Sequence, residues 1–227
     1  ILNQFVIYIS LPAMIILQVP KLTFSMDTLI PIIVAWGVMG ISAILVLLFA
    51  RIFSFSKEIT GSLMLVAILT NSSFMGIPII NAYMGESSLA YILVYDQLGT
   101  FIALATYGTF IASYYSSKSQ ISFKIITLKV LTFPPFLSLV LALLLMGVEF
   151  HPVLSKVLSS FANTIVPIAL VAVGLQLQFK LPREDLKPFS VALFIKLIIA
   201  PIIAIIICKI FDWNNQASIV SIMEAGM

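Results

Sequence analysis

The chain has 227 residues, of which 61% are hydrophobic and only 9% charged, with 12 Lys+Arg against 9 Asp+Glu. A soluble domain carries about 25% charged residues, so this chain has too little polar surface to keep a domain of its size in water. That excludes a cytosolic enzyme, a secreted disulfide scaffold and a disordered tail. At a net charge of +3 it also excludes a nucleic-acid binder, which needs a basic surface for phosphates. What remains is an integral membrane protein. Its single cysteine, Cys208, has no internal disulfide partner and sits among apolar neighbours. Its single histidine, His151, falls in a loop and builds no multi-histidine metal site. No cofactor is expected.

A membrane-spanning helix needs about 20 apolar residues. In chain order the apolar segments are A, Leu2–Val19, B, Leu29–Phe53, C, Ser62–Met84, and D, Leu89–Tyr115. They continue as E, Ile125–Val148, F, Val153–Gln178, G, Phe189–Phe211, and H, which starts near Gln216. Segment H reaches Met227 too soon to cross, and Ile1 already lies in an apolar run without an initiator Met or a leader. The expectation is therefore a piece of a longer protein. Arg51 and Lys57 follow B, Lys118 and Lys124 follow D, and Lys180, Arg183 and Lys187 follow F. The other side carries only Lys21, Lys156 and Lys209. By the positive-inside rule the first set marks the cytoplasmic face.

The chain resembles itself at a long offset. LNQFVIYISLPAMIILQ (Leu2–Gln18) parallels LSSFANTIVPIALVAVG (Leu158–Gly174), with Pro12 and Pro167 at nearly the same place. Phe49–Phe53 parallels Ile207–Phe211, and NSSFMGI (Asn71–Ile77) parallels SIMEAGM (Ser221–Met227), Gly76 falling opposite Gly226. A-B-C thus repeats as F-G-H. A and F are an odd number of segments apart and run in opposite directions, which makes an inverted-topology repeat, an architecture of secondary transporters. The units divide as 1–116 and 117–227. Completing each unit by the other gives a ten-helix, 5+5 protein. The fragment would then lack the first helix and the last one to two.

Segment C carries Thr70-Asn71-Ser72-Ser73-Phe74-Met75-Gly76-Ile77-Pro78 inside an otherwise apolar helix. Asn71 lies about 16 Å from the cytoplasmic end at the helical rise, near the midplane. Gly76 permits non-helical dihedrals, and Pro78 removes a donor and clashes with the preceding turn. Lipid cannot satisfy backbone groups freed there, so the break must face protein or a water-filled cavity. The equivalent break in H is expected at or beyond Gly226.

Three ionisable groups lie within spans. Asp96 and Glu224 enter about 10 Å from the outer side, and Lys196 about 12 Å from the cytoplasmic side of a roughly 30 Å core. Buried charges in a membrane usually mark ion or substrate routes. Two bland readings stand beside that one: Lys196 snorkelling to the interface, and Asp96 as a structural hydrogen-bonding group.

The stretch NSSFMGIPIINAYMGESSLAYILVYDQ (Asn71–Gln97) resembles the bacterial auxin efflux carrier family, whose pattern is Asn-x-x-Phe-x-Gly-x-Pro followed by Ala-x-x-x-x-x-Asp-Gln. Phe133-Pro134-Pro135 and Asn163–Leu175 resemble two further helices of that family. The resemblance implies an all-α, 5+5 inverted repeat with broken crossover helices, related to bile-acid symporters and sodium/proton antiporters. It implies a scaffold holding A, E and F and a transport unit holding B, C, D, G and H. It also implies a permease for small organic anions in a bacterial inner (plasma) membrane, with no nucleic-acid partner and room for a homodimer.

On that reading Asn71, Ser72, Ser73, Gly76, Pro78 and Lys196 form the substrate site. Asp96 or Glu224 carries a coupling H+, Na+ being the alternative. A sodium- or proton-coupled carrier of the same fold with another substrate, bile-acid-like or a cation, is the rival. An intramembrane enzyme lacks its motifs: no His-Glu-x-x-His and no Ser/His pair falls within a span.

Overall fold

The computed structural model describes residues 1–21, 26–115, 127–128, 131–177, 182 and 185–227. The described residues are 84% helical, and none of them forms a strand. Among the described residues five helices are long and apolar enough to cross a membrane: α1 Leu2–Lys21, α2 Met26–Ile52, α5 Glu86–Tyr115, α7 Pro152–Gly174 and α8 Leu186–Ile210. Shorter helices are α3 Lys57–Val66, α4, which joins a wide turn Ser72–Gly76 to Ile77–Met84, α6 Pro134–Leu144 and α9 Gln216–Ala225. Segments A, B, D, F, G and H correspond to α1, α2, α5, α7, α8 and α9. Segment C is two helices, α3 and α4.

Two expected boundaries move. Segment E is helical over Pro134–Leu144 and, before it, at residues 127–128 and 131, with an interruption at Thr132-Phe133. Phe133 is extended (φ −74°, ψ 119°), because the residue before a proline is driven from helical dihedrals. Segment F is helical on both sides of a turn at Asn163-Thr164. Lys118, Lys124, Lys180 and Arg183, the start of segment E and Gln178 lie outside the described residues.

Local chemistry explains the ends. Ser56 caps α3 by accepting from Ile59 N at 3.2 Å. Asn215 and Ser218 form a reciprocal capping box at the start of α9. Gly85 (φ 74°, ψ −176°) ends α4 in a conformation that L side chains rarely adopt. Prolines shape the interiors. The wide turns Val6–Ser10, Ser72–Gly76 and Ile195–Ile199 each finish two residues before a proline: Pro12, Pro78 and Pro201. A proline ring clashes with the carbonyl four residues back and offers no N–H, so the turn opens to five-residue spacing. A further wide turn, Tyr95–Phe101, has no proline and carries Asp96 and Gln97.

Packing falls into two groups. In one, α1 lies against α6 and α7; in the other, α2 lies against α8 and α9. In lipid, hydrophobicity alone does not draw helices together, so close approach by small residues has to do it. A Cβ at Gly99 would stand 2.7 Å from Ala35 Cβ, one at Gly37 2.9 Å from Ile207 Cδ1, and one at Gly61 2.6 Å from Tyr115 Cβ. The faces left exposed are apolar, with Ile44 and Leu48 on α2 and Leu197 and Ile206 on α8. Cys208 is buried in the α2–α8–α9 core as a free thiol.

Candidate functional site

The two halves of segment C separate at Ala67–Asn71, where Thr70 is non-helical and Asn71 takes φ −99°, ψ 55°. This corrects the placement of the break at Gly76–Pro78. Gly76 keeps helical dihedrals (φ −60°, ψ −55°), and Pro78 lies inside α4, where the wide turn absorbs it. Polar residues that can compete for backbone groups decide the position of the break.

Ending a helix in mid-membrane leaves carbonyls on one side and N–H groups on the other. Side chains from two other helices serve the carbonyls. Tyr107 Oη donates to Met64 O at 3.1 Å, and Lys196 Nζ donates to Ile68 O at 3.4 Å. Lys196 is 8% exposed, so it does not snorkel to the interface. The other side begins with Asn71, Ser72 and Ser73, where α4 presents its positive end.

Around that end lies a polar cluster. Ser72 Oγ lies 2.9 Å from Thr70 Oγ1 and 3.0 Å from Thr100 Oγ1, and the two threonine hydroxyls also bond each other. Ser73 Oγ donates to Asp96 Oδ1 at 2.7 Å, and Gln97 Nε2 donates to Asp96 Oδ2 at 2.7 Å. Asp96 is 4% exposed and Gln97 1%. A cavity of about 270 Å³ opens here, with Asn71, Ser72, Ser73, Asp96, Gln97 and Thr100 among its polar wall residues and Phe74, Phe101 and Phe133 among its apolar ones. It adjoins a larger space of about 730 Å³, with which it shares Phe101, Leu104 and Phe133 and which extends along Gly108, Ala112 and Ser113. That is toward the end bearing Arg51 and Lys57. Beside the cavity Leu11, Ile15, Ile77 and Ile165 belong to one packed core.

Of the residues expected from the sequence, Asn71, Ser72, Ser73 and Asp96 share the cavity wall, while Gly76, Pro78, Lys196 and Glu224 do not line it. Glu224 is fully buried at the last turn of α9 beside the Ser72 hydroxyl of α4, and neither carboxylate oxygen makes a well-formed hydrogen bond. It faces α4: a Cβ at Gly76 would stand 2.2 Å from Glu224 Oε1. Gly76 is thus required for close approach and not for unusual dihedrals. Thr70, Thr100 and Phe133 went unforeseen as wall residues. Thr70 and Thr100 are polar residues within apolar segments, which is a sequence signal, though a common one.

An all-helical apolar bundle with a polar cavity at an interrupted helix defines a multi-pass membrane transport protein. The chain belongs to the membrane transport protein family, that of the auxin efflux carriers, whose model matches residues 1–227. It is similar to an uncharacterised transporter of Methanocaldococcus jannaschii, 26% identical over 236 residues that cover 100% of this chain and 75% of that protein. An uncharacterised transporter of Methanothermobacter thermautotrophicus is 24% identical over 234 residues, covering 100% and 74%. The family and these names indicate a transporter rather than an enzyme.

Proposed function

We propose that the protein is a secondary transporter of small organic anions, dicarboxylates among them, working by alternating access at the midplane crossover. The observation that carries this is the cavity at the positive end of α4, walled by Asn71, Ser72 and Ser73. Hydroxyl and amide donors at a helix N-terminus favour a carboxylate. Its volume of about 270 Å³ is below the roughly 300–1,000 Å³ usual for ligand pockets. That favours a small anion over a bile-acid-sized one.

Gly76 and Pro78 shape α4 from behind. Asp96, in the same wall, puts a carboxylate beside the bound anion. An anion entering there is easier to accommodate with a proton on Asp96, which supplies a route to proton coupling. Glu224 is the second coupling candidate, for H+ or Na+. The space on the Arg51–Lys57 side of the cavity, with the apolar core on the other, favours access from that side in this state.

The inverted repeat, with units 1–116 and 117–227, is supported by how the elements pair. Three elements of the first unit touch their counterparts in the second: α1 with α7 through Ser10 Oγ and Thr164 Oγ1 at 2.7 Å, α2 with α8 at Gly37 and Ile207, and α4 with α9 at Gly76 and Glu224. In this reading α1, α6 and α7 are the scaffold and the remaining helices move against it. The membrane is the plasma membrane, and the Arg51–Lys57 end is cytoplasmic.

The test is a thermal-shift series on the purified intact protein with mono-, di- and tricarboxylates and matched cations. Saturable stabilisation by small dicarboxylates, lost in Asn71→Ala, is the expected result. Stabilisation by bulky steroid acids alone, or unchanged stabilisation in Asn71→Ala, sinks the reading.

A further inference from the structure

Two partly polar spaces meet at an apolar neck. The anion cavity carries Ser73, Gln97 and Thr100 in its wall, and the larger space beside it carries Thr109, Ser113 and Thr132. The residues common to both walls are Phe101, Leu104 and Phe133, none of which has a polar side-chain atom. The Phe101 and Phe133 rings stack across this neck, with centroids 4.1 Å apart and planes inclined by 12°. That is closer than the roughly 4.5–7 Å usual for aromatic pairs, so neither water nor a solute fits between the rings. Phe101 ends the wide turn Tyr95–Phe101 of α5. Phe133 is held extended in front of α6 by the proline that follows it. Both rings thus sit on backbone that departs from regular α-helix. Phe136, inside α6, lies 6.1 Å from Phe101 with its ring tilted by 38°, and it is a wall residue of neither space.

The opposite side of the cavity is closed differently. There Leu11, Ile15, Ile77 and Ile165 belong to a packed core, each of them 2% exposed or less. On the Arg51–Lys57 side a single pair of stacked rings stands between the anion cavity and the larger space. An apolar constriction bars an anion, because the anion finds nothing there to replace its hydration. We infer that Phe101 and Phe133 form the gate on the Arg51–Lys57 side of the anion cavity. The gate closes when the α5 ring lies on the ring in front of α6, and it opens when those two elements move apart. This rests on the transport reading above, with α6 in the scaffold and α5 in the unit that moves. One ring comes from each, so the motion that alternates access is also the motion that breaks the stack. The two phenylalanines control entry and offer no hydrogen bond to the anion, which divides their role from that of Asn71, Ser72 and Ser73.

The experiment measures access to the cavity with no substrate present. In a Cys208→Ala background a reporter thiol is placed in the anion cavity by Ser73→Cys, or in the larger space by Ser113→Cys. The intact protein, in membrane vesicles with the Arg51–Lys57 face outward, is treated with an impermeant, negatively charged methanethiosulfonate, and labelling rates are followed. With both rings in place the Ser113→Cys thiol is expected to label fast and the Ser73→Cys thiol several-fold more slowly. Phe101→Ala or Phe133→Ala is expected to raise the Ser73→Cys rate several-fold and to leave the Ser113→Cys rate unchanged. The Phe101→Ala/Phe133→Ala variant gains little over either single change, because losing one ring already opens the neck. Phe133→Tyr, which keeps a ring in the stack, and Phe136→Ala, which touches neither wall, keep the slow rate. Where an alanine variant does not fold, Phe101→Leu and Phe133→Leu are read by the same rule, since leucine cannot stack. An unchanged Ser73→Cys rate in the folded ring variants overturns the inference. So does a Phe136→Ala protein that labels as fast as Phe133→Ala, because general loosening of the packing then explains the access. Failure of the carboxylate thermal-shift series would remove the substrate reading and leave these labelling rates standing.

Discussion

Adding one methyl group at Gly76 probes the contact between α4 and α9 directly. A Cβ there would stand 2.2 Å from Glu224 Oε1, 2.7 Å from Cδ and 2.7 Å from Oε2. Each distance is well inside ordinary contact, so the carboxylate must move or the helices must part. Overpacking of this kind costs roughly 1–3 kcal/mol. For a chain of this length about 1 kcal/mol moves the melting temperature by roughly 2–4 °C, so Gly76→Ala lowers it by about 2–12 °C. Gly40→Ala is the control: nothing lies within 4 Å of its Cβ position, and alanine in a helix interior gains roughly 0.5–1 kcal/mol. Melting is followed by intrinsic fluorescence of detergent-purified protein. Glu224→Ala removes the atoms that clash, so the Gly76→Ala/Glu224→Ala double variant melts above the sum of the single effects. A Gly76→Ala protein as stable as wild type, or strictly additive single effects, refutes the contact.

Other outcomes follow from the same geometry. Gly85→Ala places a side chain at φ 74°, ψ −176° and costs about 1–3 kcal/mol, read as a lower melting temperature with transport per folded molecule unchanged. Asp96→Asn turns one acceptor into a donor facing Ser73 or Gln97. It destabilises by roughly 1–3 kcal/mol, and uptake in proteoliposomes no longer follows an imposed proton gradient. Trp36→Phe loses the 3.1 Å bond to Leu98 O, a carbonyl in the wide turn Tyr95–Phe101, for about 0.5–1.5 kcal/mol by the same melting assay.

The sequence is most legible where one residue type has one physical consequence. Long apolar runs such as Leu29–Phe53 and Phe189–Phe211 return as α2 and α8 within a few residues, since apolar length is what a span requires. Asn71, Ser72, Ser73 and Asp96 stand out because polar groups in an apolar run need partners, and the structure gives them a shared wall. Prolines are legible as perturbations but not as positions of rupture. Pro78 widens a turn and leaves α4 whole, while the chain actually parts at Thr70-Asn71. Which outcome holds depends on neighbours that receive the freed groups, here Tyr107 and Lys196 from distant helices. Depth counting along a straight helix set Asp96 and Lys196 apart, and Glu224 now stands in the field of both. A sequence does not carry the angle at which helices cross.

The central claim is that the cavity at the start of α4 holds the transported anion. Uptake of a radiolabelled C4 dicarboxylate into proteoliposomes containing the intact protein tests it most directly, with Asn71→Ala, Ser73→Ala and the exposed-face control Leu48→Ala. A hydrogen bond to a charged group contributes about 1.5–3 kcal/mol, which is roughly a 10- to 100-fold change in affinity. The account predicts saturable uptake by wild type and Leu48→Ala, with apparent affinity lowered by that factor in the two cavity variants. Wild-type uptake by folded Asn71→Ala and Ser73→Ala proteins contradicts it.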